Sequence, residues 1–422
     1  MRKGLELLPA LPILLLVTLA MALAIVRVRR PRAERSASTP RGGPDDAPPA
    51  GSSLRAAPLA APSAQVPERG ARMQHGDGRR THRARGRGPE QAKVAWQTAV
   101  GGPIQGQVVA SPDETTLYVA SLAGTLTALA RDGRVVWKVD LHGRAYSTPC
   151  VGNDGTVYVG SDAHEMFAIT PAGAVRWKLD TEGDADTGAA LAPNGAIVFA
   201  SARSVYSVRP AGDVAWRFRA RGKVFTAPVV AEDGTVYVGS QDHRAYALAP
   251  NGTLRWSTDL GADVDGAPVL ADDGALFFGT DGDEIVRMGP KGEIVWHAPV
   301  GGFVRGPLSL GRDGDVLAGV YGPAPRQVRV SAATGAVLGG FEVAGTGARE
   351  FGVHGGALED DEGTLYFGAQ DDAAYAVARD GSLRWRFVTG ADVDAPLTLL
   401  SDGSLVVPSD DGMVYLLAGS AH

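Results

Sequence analysis

The sequence predicts an all-β protein: an eight-bladed β-propeller of four-stranded blades, closed by its own N-terminal strand. Three observations carry this. The octapeptide DGTVYVGS stands at residues 154–161 and returns unchanged at 233–240. Related octapeptides recur along the body: ETTLYVAS (114), NGAIVFAS (194), DGALFFGT (273), DGDVLAGV (313), EGTLYFGA (362) and DGSLVVPS (402), eight copies in all. All seven tryptophans occupy one place in the repeat, at neighbouring intervals of 41, 40, 39, 40 and 40 residues, then 89 across the one copy without it. Self-similarity at a period of about 40–50 residues, with turn residues between short apolar runs, is the mark of a propeller blade.

The elements follow in chain order. Residues 1–26 read as a transmembrane anchor or signal segment, because Leu7 to Val26 is a run of 20 uncharged residues, about the length that spans a bilayer as a helix. Ala22-Leu23-Ala24 offers a small-residue cleavage site, but Arg27, Arg29, Arg30 and Arg32 follow directly, which favours an uncleaved anchor. Residues 27–91 read as a disordered linker rich in Pro, Ala, Gly, Ser and Arg. With almost no aromatic or β-branched residues, such a chain cannot bury enough apolar surface to offset the entropy of ordering. From 27 to 90 it holds fourteen Arg against six acidic residues, whereas the chain as a whole carries a net charge of −6. A basic linker thus precedes an acidic body. The linker's charge suits anionic lipid, and the body's charge argues against a nucleic-acid partner.

Residues 92–422 are the propeller. Within most copies, Asp-Gly or Asn-Gly makes the turn, the octapeptide supplies a strand, a second apolar run such as EMFAI or RAYAL follows, and a third run ends in Trp (DGRVVW, AGAVRW, NGTLRW). The expected reading is a meander of hairpins with period-2 alternation. The eighth copy stops at DGMVYLLAGSAH without its Trp-bearing strand, and KVAWQTAV (93–100) stands alone ahead of the first copy. The early segment should therefore complete the last blade and leave no open sheet edge between the ends.

At DGRVVWKVDLHG, AGAVRWKLDTEG and DGSLRWRFVTG the chain resembles the pyrroloquinoline-quinone (PQQ) repeat family. The resemblance covers residues 92–422. It implies that Trp96, Trp137, Trp177, Trp216, Trp256, Trp296 and Trp385 each dock on the next blade. One branch of that family, the quinoprotein dehydrogenases, holds PQQ and calcium over the central channel and uses a pair of adjacent cysteines. This chain has a single cysteine, Cys150. The other branch is the propeller lipoprotein of the outer-membrane β-barrel assembly machine, a non-catalytic scaffold, and this chain resembles it more in size and plainness, although it has no lipidated cysteine. The resemblance implies an extracytoplasmic body, protein partners in the cell envelope and no cofactor, with PQQ and calcium as the alternative and a ligand-sensing domain as a third reading.

Binding residues of a propeller lie where the first strand of each blade opens at the channel mouth. Counting back from each octapeptide gives a variable ring: Arg144, Tyr146, Asp184, Asp186, Lys223, Phe225, Asp263, Asp265, Phe303, Arg305, His354, Asp392 and Asp394. The pairs Asp184/Asp186, Asp263/Asp265 and Asp392/Asp394 suit a hard cation or a cationic peptide; as solvated strand-start residues they would need no ligand, and no metal site is assigned. No catalytic residue is assigned either, since the sequence shows no Ser/His/Asp set, phosphate loop or zinc signature. His164 and His243 fall at matching hairpin tips.

Overall fold

A computed structural model describes residues 72–82 and 86–419. The anchor expected over residues 1–26, and the linker up to residue 71, lie outside the described residues. Among those described, no helix is long and apolar enough to cross a membrane.

Eight antiparallel sheets of four strands form the eight blades. In the second blade the inner strand is Cys150–Val151, followed by Val157–Ser161, Glu165–Ile169 and the outer strand Val175–Asp180. The last blade takes Thr398–Leu399, Leu405–Pro408 and Met413–Leu417 from the end of the chain, and Val94–Ala99 from its start. Trp96 lies opposite Leu416 and Gln97 opposite Tyr415. The expected closure by the early strand is what forms.

The period-2 alternation holds only at the rim of the ring. Outer strands such as Val135–Asp140 alternate between exposed and half-buried positions, whereas Val157–Ser161 and Leu365–Ala369 are buried throughout. A middle strand has a neighbouring blade on each face, so both of its faces are apolar, as in a sheet covered on two sides. This packing also explains the repeated octapeptide. Asp154 accepts from the Thr156 amide at 3.0 Å and so shapes the turn, and Gly155 takes a φ of 78°. Gly160 sits so close to the next blade that a Cβ there would run into the Ala185 carbonyl.

The tryptophans join one blade to the next. Trp137 Nε1 donates to the Pro171 carbonyl at 2.9 Å, and its ring covers Gly173 of the following blade. Six further indoles donate in the same way, to Pro210, Pro250, Pro290, Ala332, Arg131 and Pro89.

One expectation is corrected. The linker read over 27–91 does not run as solvated chain up to the first strand. Residues 72–82 lie inside the ring, where Met73, His75, Arg80, Thr81 and His82 are buried, and Gly88 and Pro89 are buried further on. Carbonyls of this segment accept from the second residue of several inner strands. Val151 donates to Arg72, Val230 to Gly78, Leu270 to Arg79 and Leu310 to Thr81, at 2.7, 2.8, 3.2 and 3.0 Å. The composition argument fails here because the segment orders through polar partners and backbone pairing, not through apolar burial.

Candidate functional site

The strand-start residues of several blades gather at one end of the ring. There a cavity of about 440 Å³ is lined by Gln74, Gln105, Tyr146, Asp186, Phe225, Asp265, Arg305 and His354, with smaller residues between them. Six of the eight blades thus bring their counted-back residue to a single cup, namely Tyr146, Asp186, Phe225, Asp265, Arg305 and His354. Blade 1 contributes Gln105. Gln74 comes from the axial segment, so the chain's own early residues form part of the cup's lining.

Behind Gln74 sits Arg80, fully buried. Its guanidinium donates to the Pro228 carbonyl at 3.0 Å, the Gly188 carbonyl at 3.2 Å and the Gln74 side chain at 2.8 Å. Burial lowers its pKa to about 10, against a smaller raising effect of Cys150 and Asp77. His75 and His82 stack beside it with ring centroids 4.1 Å apart. His75 Nδ1 meets the Leu308 carbonyl at 3.0 Å and His82 Nε2 the Leu397 carbonyl at 3.1 Å. A carbonyl only accepts, so each of those nitrogens carries a proton. Burial pushes the His82 pKa down to about 4; His75 falls well below its ordinary value through burial, then through His82 and Arg80.

The cup is rich in carboxylates that find few cations. Burial raises Asp186 to about 8, with Asp162 and Asp184 adding to the effect. Burial likewise raises Asp265 to about 6, with Asp281 beside it. Asp392 rises to about 7 and Asp410 to about 6, again first through burial and then with Asp394 as a neighbour. Oδ1 atoms of Asp162, Asp186, Asp265, Asp394 and Asp410 are buried with no hydrogen-bond partner among the described residues. Arg305 is engaged already, with Asp281 at 2.7 Å and with Glu350.

The remaining ring residues are placed as follows. Asp184 and Lys223 line a smaller cavity of about 190 Å³ beside the cup, together with His164, Asp186 and Phe225. Ligand oxygens of Asp162, Asp184 and Asp186 lie within 4.8 Å of one another, which suits a hard cation. His164 reaches Asp184 at 3.1 Å and His243 reaches Asp263 at 3.1 Å, so the matching histidine tips bridge to the next blade. Phe303 is sandwiched between the guanidinium groups of Arg305 and Arg349, each 4.2 Å from its ring. Asp394 is buried against Gln370 at 3.4 Å, and Arg144 is exposed.

A second ring went unread in the sequence. The residue directly after six of the eight octapeptides touches a channel-mouth residue of the next blade: Asp162 with Asp186, Gln241 with Asp265 at 3.4 Å, Asp281 with Arg305, Tyr321 with His354 at 2.6 Å, Gln370 with Asp394 and Asp410 with Gln105 at 2.9 Å. Its signal was present, since this letter changes chemical type from copy to copy while the octapeptide before it keeps its turn-then-apolar pattern.

Eight four-stranded blades, indoles seated on the next blade and a variable ring at one mouth define a propeller of the PQQ-repeat class. A family model described as outer membrane protein assembly factor BamB matches residues 84–202, 165–249 and 241–319, more than half of the chain, and the chain belongs to that PQQ-repeat family. Among solved structures it is similar to BamB from Moraxella catarrhalis, at 19% identity and a TM-score of 0.62, covering 78% of this chain and 99% of that one. It is also similar to a europium-containing methanol dehydrogenase, at 11% identity and a TM-score of 0.68, covering 81% and 89%. The WD40 propeller domain of Doa1 follows at 14% and 0.53, covering 78% and 97%. At such identities these likenesses are of fold. No curated protein matches the sequence.

Proposed function

We propose that this chain is a non-enzymatic, membrane-tethered scaffold of the cell envelope, whose acidic cup receives a cationic segment of a protein partner. The observation that carries the reading is the pair of buried Oδ1 atoms, on Asp186 and Asp265, that have no donor in one aromatic-lined cavity. A buried carboxylate left unpaired is costly, and an ammonium or guanidinium group would relieve it. The axial segment supports the same reading, because Gln74 and Arg80 fill the space beneath the cup and favour a contact surface over a conduit. Membership of a family described by an outer-membrane assembly factor favours an extracytoplasmic body.

The dehydrogenase reading draws on the methanol dehydrogenase likeness. The residues fit its two components unequally. Asp162, Asp184 and Asp186 suit a hard cation. A quinone bearing several carboxylates fits poorly, since Arg305 is already bound to Asp281 and Glu350 and the other facing groups are Asp186 and Asp265. The lone Cys150 is buried, with its pKa raised to about 12 by burial. We therefore derive no redox step.

The test is site-specific photo-crosslinking in intact cells, with a photoreactive residue at Phe225 in the cup or at Val136 on the outer rim. Discrete envelope-protein adducts from position 225 alone are expected, and they should vanish when Asp186 and Asp265 are both changed to Asn. Adducts that survive the double change would overturn the cup assignment. A quinone spectrum with dye reduction after adding PQQ and calcium would overturn the non-enzymatic reading.

A further inference from the structure

Seven of the eight blades place an indole from their outermost strand at the next seam, six of them over a left-handed glycine of the neighbouring blade and Trp385 with its N–H on the Pro89 carbonyl. For Trp177 and Trp256 the seat is a glycine with left-handed backbone, Gly212 or Gly292, and a carbonyl two residues earlier, on Pro210 or Pro290. A Cβ on those two glycines would lie 2.9 and 2.7 Å from the ring, so only glycine lets the indole sit so low. In the sixth blade the tryptophan position is Gly339, opposite Arg329. The seat it would fill on the seventh blade is nevertheless built. Gly381 has a φ of 86°, the Arg379 carbonyl precedes it by two residues, and a Cβ on Gly381 would meet nothing within 4 Å. Gly339 likewise borders open space.

The seam does not depend on a ring in that seat. Beneath it Phe341 packs on Phe367 and Tyr375. Arg329 meets the fully buried Glu359 at 2.6 Å, the Arg312 side chain donates to the Asp360 carbonyl at 2.6 Å, and Arg379 pairs with Asp313. Where the other seams hold an indole, this one is tied by ions and keeps the indole's place open.

We propose that the seam between the sixth and seventh blades is a recognition site for a tryptophan carried on an extended segment of another polypeptide. The indole lies over Gly381 with its N–H on the Arg379 carbonyl. The segment runs along the free edge of the outer strand Val337–Glu342, whose half-exposed Val337 and Leu338 offer apolar contact. An edge strand presents unpaired amides and carbonyls to such a segment, and a side-chain pocket supplies the selectivity. The seated copies within this same molecule fix the ligand chemistry, because six of them use the ring face over glycine and the N–H together. All seven tryptophans of this sequence are already seated, and the occupant proposed is one carried by another chain. This site is chemically unlike the acidic cup and does not rest on the scaffold reading.

The experiment titrates 5-fluoroindole against the full chain and follows fluorine line broadening and the amide shifts of ¹⁵N-glycine-labelled protein. Saturable broadening is expected, with shifts at Gly339 and Gly381. Gly339→Trp should abolish both by seating the chain's own ring, and should raise Tm by about 2 °C or more. Gly339→Ala should leave binding intact. The proposal fails if wild-type protein gives no saturable broadening, if Gly339→Trp binds as well as wild type, or if fluorobenzene, which has no N–H, binds equally. Should Gly339→Trp not fold, the wild-type glycine shifts decide alone: shifts elsewhere, or none, overturn the assignment.

Discussion

Lowering the pH from 7 to 5 should loosen the axial segment, and His82 gives the size of the effect. Its folded pKa of about 4 lies below the unfolded value of 6.5. A histidine kept neutral by burial contributes stability that is complete above pH 6.5 and is lost as pH falls through the window down to about 4. At about 1.36 kcal/mol per pH unit, moving from pH 7 to 5 costs the seated state about 2 kcal/mol through His82 alone, roughly a twentyfold gain for the released state. His75 acts in the same direction. The cup carboxylates act oppositely, because raised pKa values make the folded state take up protons as pH falls. A comparison with His82→Asn removes that background, and asparagine tolerates the left-handed backbone at this position, where φ is 51°. Hydrogen exchange at Val230, Leu270 and Leu310, whose amides donate to the segment, is the assay. After correction for the intrinsic pH dependence of exchange, wild type should lose roughly twentyfold more protection than the variant. Equal losses in the two proteins would refute the assignment of His82 as a buried neutral latch.

Trp177→Ala removes a half-buried ring and its bond to the Pro210 carbonyl, so urea unfolding should report a loss of about 2 kcal/mol; no measurable loss would show that the indole does not staple the blades. Glu359→Gln leaves Arg329 facing a neutral amide in a buried site and should cost about 3 kcal/mol. The same change at Glu362, whose partners Arg87 and Arg384 sit at the surface, should cost less than about 1 kcal/mol. Asp186 has a raised pKa, so its charge works against folding as pH climbs from about 4 to about 8. Asp186→Asn should therefore flatten the decline of Tm over that range, and an unchanged pH profile would show that Asp186 is not buried as described.

The octapeptides and Trp spacing determined blade number, strand count and ring closure because each is a local pattern copied many times. The cup was half legible. Tyr146, Asp186, Phe225, Asp265, Arg305 and His354 were reached by counting back along the strand, since residues at one register position of every blade share one end of the ring. Asp162 and Asp281 were missed because they contact the next blade, across a seam that strand counting within a blade does not cross. The axial segment was missed for a deeper reason. RMQHGDGRRTH has the composition of solvated chain, and nothing within it signals that inner-strand amides such as Val230 and Leu270 wait to receive its carbonyls. Burial of Arg80 depends on partners more than a hundred residues away, at Gly188 and Pro228.

The strand Val94–Ala99 is synthesised before any blade exists, yet its only sheet partner is Met413–Leu417. During translation it must therefore wait, unpaired, while residues 100–412 emerge. Contacts so distant in sequence are slow to form, and during biogenesis the unfinished arc carries a bare edge that invites pairing with a neighbouring nascent chain. A circular permutant would remove that wait. Joining residue 419 to residue 92 and opening the chain between two other blades would make every sheet local, hastening assembly while giving up the covalent link that places the axial segment.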